Sequence, residues 1–158
     1  MSQPPDFAPG AEFIDAPRDP DLRALHKLWL AKRGDRRLPS RADFDPSEFK
    51  SLLQDFFVYD VDPTDGSFTV RLIGDRLRNF IGSNVRGKSA GSAFQPDGTA
   101  ALVRILNLAA KQRTPIFRTG QAYFSRDRSY QQFEACLLPV SADGETVNMI
   151  LGAVRLSN

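Results

Sequence analysis

The segment Gly82-Ser83-Asn84-Val85-Arg86-Gly87-Lys88-Ser89 satisfies GxxxxGK[ST], the spacing with which backbone amides and a lysine cradle phosphates. That chemistry needs a strand before the loop and a helix after it, so that amide dipoles converge on the anion. Here an amphipathic helical pattern precedes the loop, and Ala90 to Pro96 is a poor helix former. A turn is therefore expected, with Lys88 free of phosphate. Arg33 and Arg37 make an RxxxR pair, a spacing that grips cyclic dinucleotides in some domains, but the companion DxSxxG stretch is absent. Cys136 is the single cysteine, which removes intramolecular disulfides and cysteine-based zinc sites. His26 is the single histidine, so there is no HExxH pair and no His₂ metal site. Asp60 and Glu134 are the carboxylates centred in strand patterns, and alternation can send either to the outer face. No catalytic residue, metal site or cofactor is expected from these types and spacings.

The whole composition agrees. A chain of 158 residues predicts one domain and buries enough surface for a core without staples. Lys+Arg 21 against Asp+Glu 19 leaves +2, too balanced to advertise a nucleic-acid surface, and only the arginine-rich stretch 32–41 argues for one. Met1-Ser2-Gln3-Pro4-Pro5-Asp6 lacks the basic and apolar regions of a secretory signal. No run approaches the ~20 apolar residues that span a bilayer. A soluble cytoplasmic protein without a membrane contact is the expectation.

The elements that must position any site follow from periodicity and punctuation. Residues 1–18, with four prolines, predict an extended arm on the surface of a single domain over 19–158. Asp19 caps a helix with Pro20 at its first position, and Leu22, Leu25, Leu28 and Trp29 form its apolar stripe. Gly34 ends it. Asp45-Pro46-Ser47-Glu48 starts a second helix with Phe49, Leu52 and Leu53. Phe56–Val61 and Phe68–Leu72 make a β-hairpin around Pro63-Thr64-Asp65-Gly66. A short helix from Asp75 to Gly82 and a long one over 97–111 follow. Three strands, at about 115–124, 130–140 and 146–156, close the chain through hairpin-length connectors. The fold class is α+β: a five-stranded antiparallel sheet with helices on one face, preceded by N-terminal helices.

Twelve phenylalanines suit either a packed aromatic core or an apolar cavity between sheet and helices. On the apolar phases of their elements, Val70, Leu72, Leu77, Phe80, Leu102, Leu106, Phe117 and Leu137 are expected to line that space.

Several strings carry a resemblance. Val70-Arg71-Leu72-Ile73-Gly74-Asp75-Arg76-Leu77-Arg78-Asn79-Phe80-Ile81-Gly82 resembles the segment of PAS domains in which the second strand enters a helix ending in a glycine turn. Gly87-Lys88-Ser89 is similar to the ending of the next PAS loop, which accounts for the phosphate-loop match. Leu38-Pro39-Ser40-Arg41-Ala42-Asp43-Phe44-Asp45-Pro46, Leu137-Leu138-Pro139-Val140 and Ile150-Leu151-Gly152 look like a small single-domain bacterial PAS subfamily. The likeness spans about residues 20–156. It implies sensing or protein–protein signalling rather than catalysis, with no kinase, cyclase or DNA-binding module attached, so that output passes through a partner signalling protein. The flavin-binding string Asn-Cys-Arg-Phe is absent, and His26 lies ahead of the core that holds a haem ligand in other members. A different class, a small NTF2-like α+β enzyme with an apolar pocket, commonly places Asp and His inside its cone, and this chain offers one histidine outside the sheet. The expected partners are a second copy of the chain, through Leu22, Leu25, Leu28 and Trp29, and a small apolar ligand. Intramolecular packing of the same stripe is the competing expectation.

Overall fold

The computed structural model describes residues 12–82, 84–91, 96–122 and 131–157, with side chains at 96–101, 121, 122 and 131 left aside. The expectation for the body of the N-terminal arm lies outside the described residues. In chain order the elements are β1 (Glu12–Ile14), α1 (Pro20–Arg33), two 3₁₀ segments (Arg41–Asp43 and Pro46–Asp55), β2 (Phe56–Val61), β3 (Phe68–Ile73), α2 (Asp75–Ile81), α3 (Pro96–Gln112), β4 (Ile116–Ala122), β5 (Gln131–Val140) and β6 (Met149–Ser157). All pairings are antiparallel, in the order β1-β4-β5-β6-β2-β3. The α+β antiparallel architecture is as the sequence indicates, with six strands rather than five. The extra one is β1, three residues of the arm pairing Phe13 with Arg118. Its shortness leaves no readable alternation.

Local chemistry sets the helix ends. The Asp19 carboxylate accepts from the Asp21 and Leu22 amides, and the Gly34 amide closes on Leu30 O. The segment after Asp45 has the expected reciprocal cap with Glu48, but it is a 3₁₀ helix kinked at Phe49. Leaving helical geometry lets the Phe49 ring stack on Phe56, 4.6 Å between centroids.

Strand register decides which residues share a face, because cross-strand partners point the same way. Phe117, Cys136, Ala153 and Phe56 form one row. His26 of α1 lies against Phe117, and Phe49 against Phe56, so α1 and the second 3₁₀ segment cover this face. The opposite face carries Ile116, Leu137, Gly152 and Phe57 in the neighbouring row. It is left to α3, the remaining long helix in contact with β5 and β6. Both faces are therefore buried, which is why β2 and β5 show continuous apolar runs.

Two close approaches fix the layers. A Cβ at Gly152 would sit 2.0 Å from Cys136 O and 2.5 Å from the Phe57 ring, so only glycine fits between β5 and β2 there. Gly82 ends α2 with φ +92°, the left-handed conformation of a helix C-terminus.

The α1 stripe is consumed inside the chain. Leu22, Leu25 and Trp29 are buried against the molecule's own core and Leu28 is half-buried, each full burial stabilising by roughly 1.5–3 kcal/mol. The indole N–H of Trp29 donates to Pro139 O at 2.8 Å. β4 starts at Ile116, opposite Leu137, so β5 has no strand neighbour on that side at Pro139 and the indole takes the carbonyl. Intramolecular packing, the competing expectation for this stripe, is what these burials show.

Candidate functional site

The face beneath α3 is the candidate site, and it is built from alternate residues of the strands. β2 contributes Phe57 and Tyr59, whose rings meet at 5.4 Å. Tyr59 pairs with Val70 of β3 and Ile150 of β6, both buried. Leu137 comes from β5 in the adjoining row. Leu77 and Phe80 of α2 are buried, as is Leu106 of α3, and Leu102 is half-buried against the same core.

Two residues expected there lie elsewhere. Leu72 is 42% exposed. A β-bulge places Val70 opposite Tyr59 but Leu72 opposite Val58, with Arg71 as the extra residue. Simple alternation would keep Val70 and Leu72 together; the inserted residue turns Leu72 to the opposite face. Phe117 belongs to the α1 face, where it packs on His26 at 4.6 Å. Its offset from Leu137 is one residue of register, which no single strand pattern reveals.

Tyr59 is the polar feature of this otherwise apolar face. It is 6% exposed, and its hydroxyl makes no hydrogen bond among the described residues. Burial pushes the phenol well above its ordinary pKa, so it stays protonated and donor-competent at physiological pH. The sequence carried a usable signal for it: Phe57 and Tyr59 share a parity, and only Tyr59 ends in a polar atom.

The chemical candidates outside this face are absorbed by structure. Gly87 N donates to Val70 O, Lys88 N to Val85 O and Ala90 N to Phe68 O. Those amides are committed to β3 and the turn, which removes them from phosphate binding. Lys88 itself is exposed. The Arg33 guanidinium lies 5.7 Å from the Trp29 ring, whereas Arg37 is exposed. Lys32 pairs with Glu48 and Arg36 with Asp43, so the basic stretch 32–41 is partly neutralised locally. Cys136 is buried on the α1 face, and desolvation raises its thiol to about 12, which leaves it without nucleophilic thiolate. Asp60 pairs with Arg71 at 2.9 Å. Glu134 accepts the Arg18 and Asp19 amides ahead of α1. Asp60 pairs across to Met149 and Glu134 to Arg155, at opposite ends of β6, so the two carboxylates form no pair. Burial lowers the pKa of His26. Among the described residues no group of three or more His, Cys, Asp or Glu could hold a metal ion, and no helix is long and apolar enough to cross a membrane.

One cluster left no trace in the sequence pattern. Asp55, at the end of the second 3₁₀ segment, is 0% exposed. Its Oδ2 accepts from Arg76 of α2 at 3.0 Å and from Arg155 of β6 at 2.7 Å. Arg155 also donates to Asp21 of α1 and lies 3.5 Å from Asp19. The charges meet across more than a hundred residues of chain, with no motif spacing to betray them.

Comparison with known proteins adds the family. Residues 18–155 match the PAS domain family model. The PAS domain of BvgS from Bordetella pertussis superposes with a TM-score of 0.55 at 16% identity, covering 68% of this chain and 79% of that one. A Rhodobacter sphaeroides LOV protein superposes at 0.50 and 14% identity, over 72% of this chain and 68% of that one. A fungal LOV domain photoreceptor does so at 0.50 and 14% identity, over 83% and 88%. No curated protein matches the sequence.

Proposed function

Because the chain belongs to the PAS domain family, whose members are sensory and regulatory modules, we propose that it is a non-catalytic regulatory module that takes a small apolar ligand on the α3 face of its sheet and signals through a partner protein. The observation that supports this reading is Tyr59: a buried, protonated phenol without a hydrogen-bond partner among the described residues, set among Phe57, Val70 and Ile150. A phenol on an apolar face offers one O–H donor, which a ligand with an acceptor oxygen or nitrogen would pair. The ligand class is accordingly a compact, largely apolar molecule with one acceptor. The NTF2-like enzyme is not favoured, since neither Asp60 nor His26 stands on this face. Output through protein contact has other apolar residues to draw on, with Leu30, Leu53 and Leu72 exposed.

Native mass spectrometry of the purified full chain tests the proposal. A small-molecule adduct retained under native conditions, recovered chemically unchanged and lost from Tyr59→Phe, is the expected result. A chain of bare mass that gains nothing from an apolar fragment library, or that converts the bound compound, overturns it.

A further inference from the structure

The charged cluster around Asp55 joins three elements, each of which also packs on the 3₁₀ segment that carries Asp55. Arg76 comes from α2, Arg155 from β6, and Asp19 and Asp21 from the N-cap and first turn of α1. Two guanidinium groups converge on one carboxylate oxygen, Asp55 Oδ2. Asp55 is fully buried, whereas Arg76 is 53% exposed and reaches in from the surface. Arg155 is divided between two sets of anions, Asp55 on the inside and Asp19 with Asp21 on α1.

We propose that Asp55 and Arg155 form a relay that couples the position of α2 to the docking of α1. The physics is a competition for one cation. With Arg76 in place, Asp55 has two positive neighbours, and Arg155 is free to share its guanidinium with Asp19 and Asp21. Withdrawal of Arg76 leaves a buried carboxylate with a single partner, and an under-neutralised buried charge attracts that partner strongly. Arg155 is drawn toward Asp55, its hold on Asp19 and Asp21 weakens, and the first turn of α1 loses its anchor to β6. Movement of α2 thereby loosens α1. The relay operates in the chain by itself, whatever moves α2.

The test is Arg76→Ala in the full chain, because Arg76 makes no ion pair with α1. Amide hydrogen exchange over 20–33 and acrylamide quenching of Trp29, the single tryptophan, report α1 docking directly. Exchange across α1 is expected to rise about twofold or more, the lower end for residues that share one ionic network. Arg78→Ala is the control: it removes a salt bridge to Asp75 within the same helix and is expected to leave α1 unchanged. In an Asp21→Asn background, Arg76→Ala is expected to add less than it does in the wild type. Arg76→Lys keeps the charge without the planar fork and is expected to fall between. Unchanged or slower α1 exchange in Arg76→Ala, an equal effect from Arg78→Ala, or full additivity with Asp21→Asn overturns the relay.

Discussion

Replacing Trp29 by Phe isolates the contact that locks α1 to the sheet. The indole N–H donates to Pro139 O at 2.8 Å, beyond the end of β4, where β5 has a strand neighbour on its β6 side only. Phenylalanine fills most of the site but offers no N–H, so a buried carbonyl is left unpaired at about 1–3 kcal/mol. The smaller ring leaves a void of roughly 40 Å³, which at about 24 cal/mol per Å³ adds about 1 kcal/mol. The sum is a loss of about 2–4 kcal/mol. Urea denaturation followed by far-ultraviolet circular dichroism measures it, since the variant has no tryptophan to report. The midpoint should fall with an unchanged slope, as for a change in stability alone. A loss below about 0.5 kcal/mol, the level of an ordinary surface change, would refute the docking of α1 described above.

Leu25→Glu puts an unpaired charge into the packed α1 stripe and should cost about 3 kcal/mol or more. A variant of unchanged stability that light scattering finds converted from dimer to monomer would show that the stripe serves an intermolecular contact instead. Gly152→Ala should destabilise by about 2 kcal/mol or more, because its Cβ would stand 2.0 Å from Cys136 O, and a neutral outcome in denaturant melts would contradict the tight β5–β6–β2 layering. Asp143 accepts from the Glu145 and Thr146 amides and the Ser141 hydroxyl, which hold its carboxyl down at about 2 against an ordinary 3.8. Its contribution to stability is therefore present above pH 3.8 and is lost as pH falls toward 2. A carbon-detected NMR titration should find that value and an upward shift in Ser141→Ala; an ordinary value in the wild type would remove the turn's hydrogen bonds from consideration.

Local rules were legible wherever sequence neighbours settle the outcome. Asp19 and Asp45 cap the segments their spacing marks, and the Pro63–Gly66 turn joins β2 to β3. Leu22, Leu25 and Trp29 are one buried stripe, as their period indicates, although periodicity alone does not say against which surface. The failures share a cause. Alternation places Leu72 with Val70, and a single inserted residue at Arg71 reverses the face of everything beyond it. Phe117 and Leu137 are each apolar in phase, but only inter-strand register tells that they point to opposite sides. The Arg76–Asp55–Arg155–Asp21 cluster depends wholly on tertiary placement, because polar residues at a helix start and in a strand look solvated until the sheet brings them together. Tyr59 was visible as a residue but not as a site, since its significance is the hydrogen bond it lacks.

The regulatory reading turns on whether the α3 face receives a ligand at Tyr59. Methyl-resolved NMR of the full chain, titrated with small apolar fragments that do or do not carry an acceptor, addresses this most directly. The expected result is that acceptor-bearing fragments shift the Val70, Leu137 and Ile150 methyls, leave Leu72 unmoved, and bind more weakly to Tyr59→Phe. Shifts confined to Leu72 and the α1 face, or binding indifferent to the Tyr59 hydroxyl, would contradict it.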